Sequence, residues 1–282
     1  MQYEMRIDSL GFDVSKSYHN ISFFSIGHES CVVKLFEIFR REPLLQFVRE
    51  QRELGRPVQI LTPFVPERHL EEIKRLLDRL FRQECFRDSV VIVNDLGLMR
   101  FVNEQDSHRT IRLGRSMIRS LDYTPWGNAI FEAETEEIRR VVSQATFYDD
   151  EKMEFFRNFN VSEIEANLTP GTRESLRNVQ HNGFRVCVHQ DTFLYGTQRS
   201  CHVRRRNGSN GSCWTACERP EPIQLVELWA ATGNYKKPDS VPFPDPLYLR
   251  GNQILGKARD FPPDDFDTII LNEQAFLPDC ED

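Results

Sequence analysis

The residues best suited to chemistry are three cysteines in the C-terminal half of the chain, Cys201, Cys213 and Cys217. Cys213 and Cys217 are separated by three residues, and an eleven-residue stretch rich in Gly, Asn, Ser and Arg separates Cys201 from Cys213. That stretch has no apolar periodicity, so burial in a hydrophobic core does not explain its cysteines. Soft metals bind several converging thiolates, and a glycine-containing loop can wrap around an ion or a cluster. The spacing therefore favours a metal site over incidental thiols.

Composition narrows the classes of protein to which the chain can belong. It has 282 residues, an apolar fraction of 39% and a formal net charge of −7, so a basic nucleic-acid surface is not its overall design. No stretch approaches the roughly 18 apolar residues of a bilayer span, and the N-terminus lacks a secretory signal, which predicts a cytoplasmic protein. Seven cysteines in such a protein point to metal ligation rather than to a disulfide framework.

Apolar patterning predicts strands and helices that alternate along the first part of the chain. The predicted strands cover 2–8, 21–26, 58–61, 90–93 and 110–113. The predicted helices cover 35–54, with an interruption at Pro43, and 66–82, and a short helix falls within 94–102. Such alternation favours βα units around a parallel sheet.

The rhythm continues less regularly in the second half, and no elements are assigned to residues 114–150. Helices are predicted at 151–156 and 169–180, strands at 162–166 and 184–188, and further elements at 223–229, 247–254 and 268–271. Roughly eight βα-like units predict an α/β fold, a (β/α)8 TIM-like barrel that is complete or irregular. We expect one barrel-like domain over 1–282, with the cysteine loop inserted at about 189–220. A doubly wound open sheet is the alternative.

In such a barrel the loops that follow the strands share one face, where sites are assembled. Cys31 follows the second predicted strand, and the cysteine loop follows the strand ending at Val188, so we expect Cys31 to be the fourth ligand beside the three loop cysteines. Cys85 precedes a strand, Cys187 lies inside one and Cys280 is near the C-terminus, which makes them poorer candidates. Four thiolates suit tetrahedral zinc or an iron–sulfur cluster, and dispersed ligands favour the cluster.

Four further residues are weaker candidates for catalysis. His189 ends a strand on the expected active face, where an acid/base role competes with a hydrogen-bonded structural role. Glu163 and Glu165 alternate on one face of a strand, so both point into the barrel if that face is the lumen. Asp95 lies in the turn after a strand, where Asp is also an ordinary turn residue.

Several segments resemble the collagenase-like unassigned-peptidase family, and within it the UbiU/UbiV-type proteins of oxygen-independent ubiquinone synthesis. The likeness is carried by the stretch His189 through Arg219, with its Arg199-Ser-Cys201 and Gly211-Ser-Cys213 steps. Segments 21–31, 91–98, 247–254 and 267–270 resemble the family in the same order. Leu194 stands where the UbiU pattern has an additional cysteine, so the UbiV-like arrangement is favoured.

The resemblance implies a [4Fe–4S] cluster held by Cys31, Cys201, Cys213 and Cys217. It also implies a role in hydroxylation without molecular oxygen, a small-molecule substrate with prephenate as hydroxyl donor, and a paralogous UbiU-like partner in a heterodimer. A non-catalytic accessory protein that binds a cluster or zinc is the alternative. Peptidase activity is a lesser one, because the chain contains neither a Gly-x-Ser-x-Gly elbow nor a His-Glu-x-x-His helix.

Overall fold

A computed structural model of the chain describes residues 1–16, 18–121, 123–125, 134–147, 149–206, 220–223, 247–258 and 262–272. Within these ranges, parallel strands close into a barrel in the order β1-β12-β7-β6-β5-β4-β3-β2. The barrel strands are β1 (Gln2–Ile7), β2 (Phe23–Gly27), β3 (Val58–Leu61), β4 (Val91–Val93), β5 (Ile111–Leu113), β6 (Val161–Ala166), β7 (Arg185–His189) and β12 (Thr268–Asn272). The closed eight-stranded parallel sheet confirms the predicted TIM-like barrel.

Helices follow most of the barrel strands and cover the outside of the sheet. They are α1 (Val32–Ile38), α2 (Glu42–Glu53), α3 (Leu70–Phe81), α4 (Leu96–Gln105), α5 (Glu136–Ser143), α6 (Asp150–Arg157), α7 (Pro170–His181) and α8 (His202–Arg206). In α3, Ile73, Leu76, Leu77 and Leu80 recur at helical spacing and are buried, which fixes the face that packs on the barrel. None of the helices in the described ranges is long and apolar enough to cross a bilayer.

A second sheet lies between β7 and β12 in the chain. Its four antiparallel strands run in the order β8-β11-β10-β9. They are β8 (Thr192–Thr197), β9 (Glu221–Ile223), β10 (Leu247–Arg250) and β11 (Gln253–Lys257). A small apolar cluster that includes Val203, Ile223, Leu247 and Leu249 packs against this sheet, so α8 is attached to it rather than to the barrel.

Most predicted elements are present, and three differ. The helix predicted over 35–54 is two helices, because the chain turns between Phe39 and Arg41 and Pro43 lies in the first turn of the next helix. The element predicted over 247–254 is a hairpin, since Gly251 adopts φ 57 and reverses the chain. The cysteine loop does not follow β7 directly, because β8 intervenes. The predicted element over 223–229 lies mostly outside the described residues.

The two faces of the barrel sheet differ in polarity. Residues such as Ile7, Ile26, Ile60 and Val93 face the helices and belong to the main apolar core. Alternate residues of the strands point the other way, into the lumen. There the buried side chains include five charged ones, which is unusual for a barrel interior filled mainly by branched apolar residues. They are Glu4, Arg6, Arg112, Glu163 and Glu165.

Arg112 on β5 is the centre of this buried charge network. Its Nη1 donates to Glu4 Oε2 at 2.5 Å and its Nε donates to Glu163 Oε2 at 2.7 Å. Arg6 Nη2 donates to Glu165, which also accepts from Arg112 Nη1 at 3.3 Å. Glu163 and Glu165 share one face of β6, and that face is the lumen, where they neutralise buried arginines.

We expect Arg112→Met to destabilise the protein strongly. Methionine fills a similar volume but leaves Glu4, Glu163 and Glu165 short of a buried cationic partner, and removing one member of a buried ion pair costs about 3–5 kcal/mol. Urea unfolding should show this loss in the free energy of unfolding. The control is Arg100→Met, which breaks the exposed pair with Glu104 and should change stability little. Equal losses in the two variants would contradict a structural role for the network.

Candidate functional site

The candidate site lies at the C-terminal end of the barrel, where the lumen network meets the loops. Glu29, two residues after β2, forms a bidentate ion pair with Arg115, two residues after β5, with both N–O distances at 2.9 Å. Arg115 Nη1 also donates to Thr192 O at 2.9 Å, so it links the barrel to the first strand of the second sheet. Burial raises the pKa of the Glu29 carboxyl, but the charge and hydrogen bonds of Arg115 outweigh it and hold that pKa below its ordinary value.

His189, the last residue of β7, is the imidazole of this site. Its Nε2 lies 3.4 Å from Glu165 Oε2, and its Nδ1 is buried with no hydrogen-bond partner among the described residues. Burial, followed by the charges of Arg115 and Arg6, holds the pKa of His189 well below its ordinary value. The ring is therefore neutral at pH 7 and able to accept a proton or to bind a metal.

Besides the cysteines, one group of side chains in the described part of the chain has the spacing of metal ligands. Ligand atoms of Glu29, Glu165 and His189 all lie within 4.8 Å of one another, and all three residues are buried. Carboxylate and imidazole suit a divalent ion such as Mn²⁺, Fe²⁺ or Zn²⁺ rather than an iron–sulfur cluster. Such an ion has to compete with Arg115 for Glu29 and with Arg6 for Glu165. The arginines thus already neutralise the carboxylates that a cation would need.

Cys31 and Cys201 both lie near this end of the barrel, at the tip of the β10–β11 hairpin. Cys31 occupies the N-cap position of α1, and Cys201 immediately precedes α8. The neighbour of each is bound to the hairpin turn: Asn252 N donates to Ser30 O at 3.1 Å, and His202 N donates to Gly251 O at 2.7 Å. Cys201 Sγ accepts from Arg204 N at 3.4 Å. Both cysteines are partly exposed.

The turn that holds them requires glycine. Gly251 has φ 57, and a Cβ there would lie 2.6 Å from Ser30 O. A side chain at this position would therefore push the Cys31 loop away from the turn. Cys213 and Cys217, the other two predicted ligands, lie outside the described residues.

Of the remaining cysteines, Cys85 and Cys187 are placed as the sequence predicts. Cys85 lies in a 3-10 helix, Glu84–Phe86, just before β4 and thus at the opposite end of the barrel. Cys187 is buried in β7, and burial raises its pKa to about 12, so it is an inert thiol. Cys280 lies outside the described residues.

Asp95 serves the fold. It is the N-cap of α4, where its Oδ1 accepts from Leu98 N at 2.8 Å, and its Oδ2 accepts from Val65 N at 3.3 Å. Burial raises the pKa of Asp95, opposed by these backbone hydrogen bonds. With both oxygens bonded to backbone, the side chain ties two loops together, and the predicted turn role accounts for it.

Sequence reasoning missed Glu29 and Arg115, which lie in loops with no local pattern. It also missed Glu4 and Arg6, although a signal was present. These two alternate in β1 just as Glu163 and Glu165 alternate in β6, so charged residues at a spacing of two in a predicted buried strand mark the lumen.

Comparisons with known proteins add one likeness, at the level of the fold. No family model matches the chain, and no curated protein matches its sequence. The solved structure of a protein named as the U32 peptidase Mk0906 superposes with a TM-score of 0.50 over 96% of this chain and 92% of that chain, at 10% sequence identity. At this identity the likeness shows a shared barrel architecture, and it agrees with the collagenase-like resemblance only to that extent.

We expect stability to fall as the pH drops from about 7 to about 5. The folded-state pKa of His189 is below the unfolded value of about 6.5, so the unfolded chain takes up a proton that the folded chain does not. His189→Gln should remove up to about 1.4 kcal/mol per pH unit of this slope in urea unfolding. The pKa of buried His28 is also depressed, by burial and then by Arg250, so it supplies a remaining slope. Identical slopes in variant and wild type would exclude His189 as a source.

Proposed function

We propose that the chain is an iron–sulfur protein of the UbiV type that takes part in an oxygen-independent hydroxylation. The observation that supports this most directly is the shared anchoring of Cys31 and Cys201. They are 170 residues apart in sequence, yet the residue next to each is hydrogen-bonded to the same two-residue turn. Cysteines that are distant in sequence and lie beside one turn in the fold are typical of cluster sites.

The proposed ligands are Cys31, Cys201, Cys213 and Cys217, which together offer four soft thiolates to a [4Fe–4S] cluster. The two described cysteines fit this role because both are partly exposed and lie beside one turn. The backbone N–H of Arg204 already donates to Cys201 Sγ, an interaction of the kind that tunes a bound cluster. When bound, such a cluster supplies one-electron redox chemistry at a potential set by burial and by hydrogen bonds to sulfur.

His189 is the residue that we assign to proton transfer. Its Nε2 lies beside Glu165 and the ring is neutral, so Nδ1 carries a lone pair, and the low pKa makes the ring a ready proton donor once it is protonated. The Glu29–Arg115 pair flanks it and fixes the loops after β2 and β5. These residues supply a rigid, charge-balanced wall at the end of the barrel where TIM-barrel sites form.

The substrate and partner come from the sequence resemblance alone. We propose a small-molecule substrate such as a quinone precursor, prephenate as hydroxyl donor, and a UbiU-like subunit as the partner. Hydroxylation assays of the isolated chain and of its complex with that partner would distinguish the two roles. Activity of the isolated chain indicates a catalytic subunit, and activity of the complex alone is expected of an accessory one.

A zinc-binding accessory protein is the second candidate. It is favoured by the short spacing of Cys213 and Cys217, which resembles one half of a structural zinc site. Peptidase activity is the third, suggested by the name of the structural neighbour. The absence of a peptidase motif from the sequence argues against it.

The metal content of anaerobically purified protein tests the proposal. We expect a brown chain with about four irons, and a cluster-type absorption band, because four thiolates are available as ligands. Cys31→Ser and Cys201→Ser should each lower the iron content and bleach the band. Cys85→Ser is the matched control, since Cys85 lies at the other end of the barrel.

A colourless protein loaded with zinc would overturn the cluster in favour of the second candidate. Equal loss of iron in Cys85→Ser and Cys201→Ser would show that the iron is bound elsewhere.

A further inference from the structure

A cleft of ≈ 750 Å³ lies at the C-terminal ends of β3, β4 and β5. One side of it is formed by Thr197, Gln198 and Arg199, the segment that leads from β8 to Cys201. Its volume falls within the range of about 300–1,000 Å³ that is usual for small-molecule sites. It lies on the barrel face where ligands bind in this fold, next to the proposed cluster loop.

The walls of the cleft are mainly apolar. Phe64 and Leu70 come from the loop after β3 and the start of α3, and Met117 follows β5. Leu96, the first residue of α4, is 53% exposed where it lines the cleft. Covering such surface with an apolar ligand gains about 25 cal/mol for each Å² removed from water. An exposed leucine in a concave surface therefore favours a ligand with an apolar body.

Hydrogen bonds make the cleft rigid. Asp95 joins the start of α4 to the loop after β3 through its bonds to Leu98 N and Val65 N. At the base, Asn94 Nδ2 donates to Thr62 O at 2.7 Å, and Asn94 Oδ1 accepts from Ser116 N at 3.3 Å. These polar groups are committed to the fold, so they are not the ones that select a ligand.

The polar groups left for a ligand are mainly donors at one end. Gln198 Nε2 is buried and has no acceptor among the described residues, and the exposed guanidinium of Arg199 is adjacent in sequence. A buried donor without an acceptor is costly, so a ligand oxygen is favoured when the Gln198 side chain turns its Nε2 into the cleft to meet it. Glu67 also lines the cleft, but its carboxylate is exposed and solvated.

We propose that this cleft binds a small molecule with an apolar body and a carbonyl or anionic acceptor, with that acceptor against Gln198 and Arg199. The inference rests on the proposed function in one respect, namely that the bound molecule is the substrate of the cluster-bearing site. The segment that carries both donors continues within two residues to Cys201, so a ligand in the cleft lies beside the proposed cluster loop.

Two fluorescent probes of matched shape test it on the full-length protein. One is 1-anilinonaphthalene-8-sulfonate, and the other is N-phenyl-1-naphthylamine, which has the same ring system without the sulfonate. Both should bind. Leu96→Glu should weaken both by about tenfold or more, because an apolar contact is lost and a charge enters the wall. Arg199→Gln should weaken the sulfonate probe about tenfold and leave the neutral probe unchanged.

The control is Leu54→Glu, which alters an equally apolar and more exposed side chain, 70% exposed, at the end of α2. Glutamate is tolerated in the first turn of a helix, so Leu96→Glu keeps the fold, and circular dichroism checks each variant. Unchanged affinities in Leu96→Glu, or equal losses in Leu54→Glu, would overturn the cleft as the binding site. Equal weakening of both probes by Arg199→Gln would overturn the acceptor end.

The iron measurement separates this inference from the proposed function. None of the residues varied here is a proposed cluster ligand. If the protein lacks iron but the probes show the expected pattern, the cleft stands and the cluster proposal fails. If iron is present and the probes do not show the expected pattern, the binding cleft is refuted and the cluster proposal is unaffected.

Discussion

The fold depends on charge balance inside the barrel. Arg6 and Arg112 lie in a lumen that most TIM barrels fill with branched apolar side chains, and Glu4, Glu163 and Glu165 neutralise them. Each ion loses its hydration on burial, so the network is stable only while every member is in place. The same charge balance affects the C-terminal end of the barrel, because Glu165 also contacts His189 there. The chemistry available at the site thus depends on the charges beneath it.

The architecture could be predicted from sequence because its signals are local. Period-two apolar runs and helical stripes, as in α3, identify the repeated units, and their order predicts a barrel. The lumen network could not be predicted in detail, since Arg112 and Glu4 are separated by 108 residues and only the closed sheet brings them together. The second sheet was missed for a different reason. Its strands are short, and the apolar residues on either side of the polar turn at Gly251 and Asn252 are too few to identify two separate strands.

The candidate site divides in the same way. The location of Cys31 and His189 near one end of the barrel could be predicted because Cys31 follows a recognisable strand and His189 ends one, and strand ends share one face of a barrel. Glu29 and Arg115 could not, because their importance arises from a contact between two loops. Asp95 shows the reverse case, in which a residue with a plausible chemical role proves to be a helix cap. Position along a strand therefore predicts where a residue lies better than what it does.

Closure of the barrel by two strands far apart in sequence has a consequence for folding. β1 pairs with β12, so Gln2 lies opposite Thr268, and the sheet has two open edges until the 260 residues between these strands and β12 itself have been synthesised. During that time Glu4 and Arg6 lack the enclosed lumen that makes their pairing favourable. Contacts at such long sequence separation form slowly. The nascent protein therefore passes through a partly folded state with exposed strand edges, a period in which chaperones would bind it most readily.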